Sequence, residues 1–252
     1  MHNNRIIGHN IILMDNVKST NNFVLSSIHE NEYQEGTIVR AVDQTEGKGL
    51  DANIWESEAG KNLTFSIIIY PSFLPPQRQF MLNKFVSLGV YDFLKGQLPT
   101  RSASIKWPND VYFDDSKICG ILINNTIKGS GMDFSVIGIG LNINQVIFRS
   151  DAPNPVSLKQ LTGKNYNLEE CLKDLTSKLD RRYHQLKYNK VEMLDADYRH
   201  ALYRLDEWHG YQVKSERFEG RVKGVDEYGK LLIEKKDGRI HSFDFKEVEY
   251  II

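Results

Sequence analysis

Residues 106–144 contain three linked blocks: Lys106-Trp107-Pro108-Asn109-Asp110, then Lys117-Ile118-Cys119-Gly120-Ile121-Leu122-Ile123, then Val136-Ile137-Gly138-Ile139-Gly140-Leu141-Asn142-Ile143-Asn144. The second and third blocks are continuous apolar runs, which suits strands buried on both faces or lying at a sheet centre. Gly138 and Gly140 are two apart and so share one face. Glycine weakens a strand interior, so the pair points either to close approach of a ligand or another backbone, or to tight sheet packing. The first block places a cation, an aromatic ring, a rigid proline and two ligand-type side chains at one strand end. A capping turn accounts for Asn109 and Asp110 but not for the lysine before the tryptophan. Lys117 reads either as a solvated strand end or as a charge aimed at a site.

Outward from this centre, strands are predicted over Ala103 to Trp107, Lys117 to Asn124 and Phe134 to Ile143, with earlier ones at Ile11 to Met14, Thr37 to Val42 and Asn62 to Tyr70, the last closed by Pro71. Ser19-Thr20-Asn21-Asn22 offers capping side chains for a helix to about Ile28. Gln79 to Leu98 carries Phe80, Leu82, Phe85, Val86, Leu88, Phe93 and Leu94 at helical spacing. Ser150 to Ser157 reads as a loop, followed by helices from Leu168 to about Leu186 and from Val191 to Leu205. From Glu207 the texture changes to short alternating segments separated by Tyr228-Gly229 and Asp237-Gly238, a hairpin pattern that predicts a small all-β barrel docked on the main domain.

The 252 residues hold 32 Lys+Arg against 33 Asp+Glu, a formal charge of −1. That balance lacks the sustained basic field needed to coat nucleic acid or an anionic membrane. With 40% hydrophobic and 26% charged residues the chain is globular, as one large domain or one large and one small. Cys119 and Cys171 have no partner at metal-ligand spacing, and the N-terminal apolar stretch is far too short to span a bilayer. The expectation is a reduced, soluble, cytoplasmic protein. The seven histidines form no zinc-protease pattern, and no serine sits in a G-x-S-x-G elbow. Gly47-Lys48-Gly49 matches neither G-x-x-x-x-G-K-[ST] nor G-x-G-x-x-G, and reads as a phosphate-binding loop or as an ordinary turn.

Taken in order, Ser19-Thr20-Asn21, Gln44-Thr45-Glu46-Gly47-Lys48-Gly49 with Trp55, Lys106-Trp107-Pro108-Asn109-Asp110, Lys117-Ile118-Cys119-Gly120-Ile121-Leu122 and Gly138-Ile139-Gly140-Leu141-Asn142 closely resemble the biotin-protein ligase family. The resemblance spans residues from about 5 to 145 and implies an α+β fold with a central mixed β-sheet flanked by helices, akin to class II synthetases, over residues 1–205. A small SH3-like barrel would follow over 206–252. The implied activity is ATP-dependent conversion of biotin to biotinyl-5′-adenylate and transfer to one lysine of a biotin carboxyl carrier protein or domain. ATP and Mg²⁺ are the implied cofactors, with no nucleic-acid or membrane partner and with a homodimer left open. Only 18 residues precede Ser19, so a monofunctional ligase without a DNA-binding domain is expected. A lipoate-protein ligase, and a biotin-binding regulatory module with lost turnover, are the alternatives.

The resemblance also implies roles. Lys117 would bridge the biotin carboxylate and the α-phosphate, Lys48 with Gly47 and Gly49 would close over the adenylate, and Lys106 would help neutralise phosphates. Ser19, Thr20, Asn21 and Gln44 would hold the biotin rings, with Gly120 and Gly138 leaving room for them. Asn109, Asn142 and Trp55 would line the adenylate side. Asp110 would organise the metal and pyrophosphate. Two departures stand out. Leu50, Asp51 and Ala52 replace the family's basic and glycine residues, which predicts weaker loop closure, and Asn124 stands where an acidic residue is common.

Overall fold

The computed structural model describes residues 5–50, 53–98, 103–150 and 154–252. Its larger sheet has seven strands: β1 (Ile11–Val17), β2 (Ile38–Gln44), β3 (Leu63–Ile69), β4 (Ala103–Lys106), β5 (Asp110–Phe113), β6 (Ser116–Lys128) and β7 (Gly131–Leu141). Their order is β1-β2-β3-β7-β6-β5-β4. Only β1 and β2 pair in parallel, so the sheet is mixed, as expected. β7, read as a continuous apolar run, lies at its centre between β3 and β6, the other such run.

Register divides the sheet into two unlike faces. One face carries Phe65, Ile67, Ile137, Ile139, Ile121, Val111 and Ile105, all within the main core. That face is covered by α2 (Phe80–Gln97), with α4 (Leu168–Lys187) and α5 (Val191–His200) packed against α2. The opposite face is polar or empty along one row. Lys106 pairs with Asp110, Asp110 with Gly120, Gly120 with Gly140, and Gly140 with Thr64. Helix α1 (Thr20–Ser27) covers only the far half of this face, through Val24 and Ile28 on Val39, Ile68 and Val136. The glycine row is left for a site.

A register shift between β5 and β6 decides where Lys117 points. Val111 pairs with Cys119 but Tyr112 pairs with Lys117, so Ile118 is an extra residue on β6. Ile118 and Cys119 then both turn into the core, and Lys117 turns to the glycine face. Strict alternation would have placed Lys117 with Cys119 on the apolar side; re-aiming a side chain is what a β-bulge does.

Three local readings change. β5 and α3 (Leu158–Thr162) are additional elements, each of four or five residues. Helix α5 stops at His200 rather than Leu205, because Arg204 and Asp206 take positive φ (60° and 57°) and the chain leaves to bridge Ile105 with Leu202 and Val222 with Leu205. The C-terminal segment forms an antiparallel sheet in the order β11-β10-β9-β8-β12, from β8 (Trp208–Val213), β9 (Glu216–Val225), β10 (Leu231–Lys235), β11 (Ile240–Phe243) and β12 (Glu249–Tyr250). Among the described residues, no helix is long and apolar enough to cross a membrane.

Trp107 fastens this small sheet to the large one. Its Nε1 donates to the Gly229 carbonyl at 2.8 Å, its ring lies 5.2 Å from that of Phe245, and one apolar core runs from Ile105 and Trp107 into Tyr211, Val222 and Ile233. The β9–β10 turn presses so close to α2 that a Cβ on Gly229 (φ +95°) would stand 2.6 Å from the Phe80 ring. Gly238 (φ +80°) has nothing within 4 Å of the same position. Gly238→Ala should therefore carry only left-handed backbone strain, about 1 kcal/mol. Gly229→Ala adds overpacking, roughly 1–3 kcal/mol more. Urea unfolding of the two variants measures the difference; equal losses would mean that the turn is not pressed on α2.

Candidate active site

A cavity of about 660 Å³ opens on the glycine face. Its floor is β6 and β7 at Gly120, Gly138 and Gly140, one wall is the start of α1 at Ser19, Thr20 and Asn21 with Gln44, and the other is Asn109, Asp110, Lys117 and Asn142. Lys48, Gly49 and Trp55 form the lid side. These fourteen residues from separate parts of the chain thus meet at one place. Gly47 and Lys106 do not line it.

At the polar end, α1 starts on Ser19, whose hydroxyl accepts from Asn22 N at 3.4 Å. Gln44 Oε1, from the end of β2, accepts from the Thr20 amide at 3.0 Å. The Ser66 hydroxyl lies 2.8 Å from Thr20 Oγ1 and donates to Asn21 Oδ1 at 2.5 Å. Asn21 Nδ2 in turn donates to the Leu122 carbonyl (3.0 Å) and to Asn124 Oδ1 (3.1 Å). The local hydrogen bonding that the Asn124 departure put in question is thus made by an amide oxygen. A Cβ on Gly138 would stand 2.5 Å from Asn21 Oδ1. Gly138 therefore makes room for Asn21, which seals this end of the floor, rather than directly for a ligand.

At the other end, Lys117 Nζ and Asp110 Oδ1 form an ion pair at 2.7 Å. Apart from that pair, Asp110 Oδ1 is buried without a hydrogen bond. The Trp55 indole lies across the glycine row, 2.3 Å from where a Cβ of Gly140 would stand and 2.9 Å from that of Gly120, with Lys117 Nζ 5.7 Å from its ring centre. Trp55 Nε1 has no partner. Gly120 thus leaves room for the indole first. The loop leading to Trp55 is held as a narrow bridge, with Trp55 N donating to Gly47 O at 2.9 Å and Gly49 N to Asn53 O at 2.7 Å. Gly47 shapes this bridge, under Trp55 and Gln44. Asp51 and Ala52, the departures expected to weaken closure, lie outside the described residues.

Asn109 and Asn142 are tied into the scaffold. Asn109 Nδ2 donates to the Ile121 carbonyl at 2.7 Å, and Asn142 Nδ2 to the Val156 carbonyl at 3.1 Å, which leaves Asn142 Oδ1 buried and unpartnered. Lys106 behaves differently from expectation. Its ammonium sits 4.9 Å from the Tyr112 ring centre and 5.1 Å from that of Tyr250 in the C-terminal sheet. Burial holds it below the ordinary lysine value, with Asp110 opposing that shift and the Lys117 and Arg204 cations adding to it.

Several lining residues gave no signal in the sequence. Phe65, Phe148 and Ser150 face the cavity, and Glu56 clamps its rim by accepting from Gln145 Nε2 (2.9 Å), Arg149 N (2.8 Å) and Ser150 N (2.6 Å).

The arrangement is one lysine, paired with Asp110, beside a bare strand pair, with a polar pocket on one side and the Trp55 indole above. Comparison with known proteins matches this geometry to a family. The family model for biotin/lipoate A/B protein ligases matches residues 13–142, which is half of the chain. The chain belongs to that family. A second model, the biotin protein ligase C-terminal domain, matches residues 212–248. Among relatives, the bifunctional ligase/repressor BirA of Bacillus subtilis is 26% identical over 255 residues, covering 96% of this chain and 75% of the relative. The biotin–[acetyl-CoA-carboxylase] ligase of Paracoccus denitrificans is 29% identical over 210 residues, covering 80% of this chain and 85% of its own. In fold, the biotin protein ligase of Aquifex aeolicus solved with biotin and ATP superposes with a TM-score of 0.80 at 24% identity, over 96% of this chain and all of that one.

In this family member the Glu56 clamp gives a pH test. Partial burial alone would raise the Glu56 carboxyl, but the hydrogen bonds from Ser150, Arg149 and Gln145 outweigh it and hold the group below its ordinary 4.5. A carboxyl lowered in the folded state stabilises above its unfolded value, and that contribution is lost as pH falls through the folded one. Glu56→Gln should therefore lower the melting temperature near neutrality and flatten its decline below about pH 4.5. Parallel melting curves for variant and wild type at every pH would remove Glu56 from the rim.

Proposed function

We propose that Lys117 is the charge that brings biotin and ATP together, with biotin in the polar pocket of Ser19, Thr20, Asn21 and Gln44 and the nucleotide toward Asn109, Asp110 and Asn142. The chain is an ATP-dependent biotin protein ligase. In the first half-reaction the biotin carboxylate attacks the α-phosphorus of ATP and pyrophosphate leaves. In the second, the amine of an acceptor lysine attacks the acyl carbon of biotinyl-5′-adenylate and AMP leaves. The acceptor we propose is the biotin carboxyl carrier domain of a carboxylase, and we place the module boundary at 205/206.

The observation that carries the residue assignment is the Lys117–Asp110 pair at the edge of the glycine row. Two anions repel, and a preorganised cation in a partly dry cavity stabilises the charge that develops between them. Asp110 occupies the ammonium until a substrate carboxylate or phosphate replaces it. For Mg²⁺, the donor set is the single carboxylate of Asp110; no cluster of three His, Cys, Asp or Glu groups exists among the described residues. One carboxylate suits magnesium carried mainly by substrate phosphates and water, where it would neutralise the departing pyrophosphate. Thr20, Asn21 and Gln44 orient the biotin rings, and Trp55 excludes water from the acyl phosphate.

Incubation with ATP, Mg²⁺ and either biotin or lipoate should release pyrophosphate only with biotin; release with lipoate alone would assign the other branch of the family. Lys117→Ala should lower biotin-dependent pyrophosphate release at least a hundredfold, the size of losing one preorganised charge donor. Its fold should survive, because the side chain fills no core volume. A near-normal rate in the folded variant would return Lys117 to a solvated strand end.

A further inference from the structure

The glycine-face row does not stop at the cavity. It runs Gly140, Gly120, Asp110, Lys106, and the last of these passes under the C-terminal sheet, where the Lys106 ammonium lies between the faces of Tyr112 and Tyr250 and 3.3 Å from Tyr112 Oη. Asp110 is consequently flanked by two lysines, Lys117 in direct contact at 2.7 Å and Lys106 opposite it in the β4–β5 register. Substrate anions draw Lys117 away from Asp110. The carboxylate then meets the incoming phosphates, and the magnesium proposed above, with one protein cation left across the register from it. Lys106 is the cation in position, and one of the two rings that hold it comes from β12, the last strand of the chain.

We infer that Tyr250 is a positioning residue for the adenylation step, acting from the C-terminal sheet by seating Lys106 beside Asp110. This rests on the reading of the site given above. Two rings fix the ammonium where hydration would otherwise pull it outward, since a cation over an aromatic face in a desolvated setting is held by the ring quadrupole. The seat is built around the ring and not the hydroxyl. Tyr250 Oη is buried with no hydrogen-bond partner. It also explains why a lysine precedes the tryptophan: Trp107 fixes the C-terminal sheet through Gly229 O, and Lys106, one residue earlier, takes up the ring that docking delivers.

The test uses the full-length chain, biotin- and ATP-dependent pyrophosphate exchange, and the variants Tyr250→Leu, Tyr250→Phe, Lys106→Met and Lys106→Met/Tyr250→Leu. Tyr250→Leu should lower kcat about tenfold, the size of one desolvated cation–π contact, with the KM for biotin unchanged. Tyr250→Phe keeps the ring and should restore most of the rate. In the Lys106→Met background Tyr250→Leu should cost no further rate, even though both Leu variants lose the same melting temperature, which separates positioning from general stability. Additive losses, or a Phe variant as slow as the Leu variant, would overturn the inference while leaving the ligase reading intact. A wild-type chain without biotin-dependent exchange would overturn both.

Discussion

Everything in the site follows from one constraint on the seven-stranded sheet: at its centre, one strip of one face is glycine and carries no side chains. Gly120 and Gly140 are paired partners on β6 and β7, and Gly138 lies two residues along from Gly140. Neighbouring strands on that row carry Thr64 and Asp110, so the trough is walled by polar groups and floored by backbone. The opposite face of the same strands is apolar and sealed by α2. A sheet can leave such a strip open only if the rest is held firmly, and here β3 is buried along its whole length and seven of the eleven β7 residues are buried. Protein groups come first to the strip: Asn21 over Gly138 and Trp55 over Gly140 and Gly120.

Charge is arranged around that trough with equal economy. A β-bulge turns Lys117 from the core side to the ligand side, and Asp110 holds it there. The ion pair at 2.7 Å fixes the ammonium at the edge of the trough. Among the described residues, three buried cations away from the trough are paired as well. Arg40 meets Glu169, Lys84 meets Asp195 at 2.8 Å, and Arg182 meets Asp92 and Asp197. These pairs tie the helices to each other and to the sheet, away from the trough, so the cavity carries its own charge logic.

Much of this was legible in the sequence because burial and capping write local patterns. The strand at 63–69 and the helical spacing of 80–97 appear within a residue or two of where they were read, and Ser19 caps α1 as its hydroxyl suggested. Gly138 and Gly140 were read as positions approached by a ligand or another backbone, or as tight sheet packing; in the structure the side chains of Asn21 and Trp55 stand over them. Other features were hidden for physical reasons. β5 is four residues long and α3 five, too short for a period to declare itself. The bulge at Ile118 cannot be seen in a run of apolar residues. Ser66 joins Thr20 to Asn21 from inside a strand that reads as plain core, and nothing local says that its hydroxyl faces a site. Lys106 and Trp107 were placed in the right motif, but their direction depends on a sheet more than a hundred residues later in the chain.

That separation between motif and orientation is general for sites built across a sheet. Order along the chain names the participants, and strand register decides which of them face one another. Here register sets Lys117, Asp110 and the glycine trough at one point, where we propose that two anions are joined through an acyl phosphate. Rapid quenching of the enzyme with biotin and α-labelled ATP measures this most directly. One biotinyl-adenylate should form per chain before steady state and discharge when an acceptor lysine is supplied. Absence of the adenylate, or label bound covalently to the enzyme itself, would contradict the assignment of the trough.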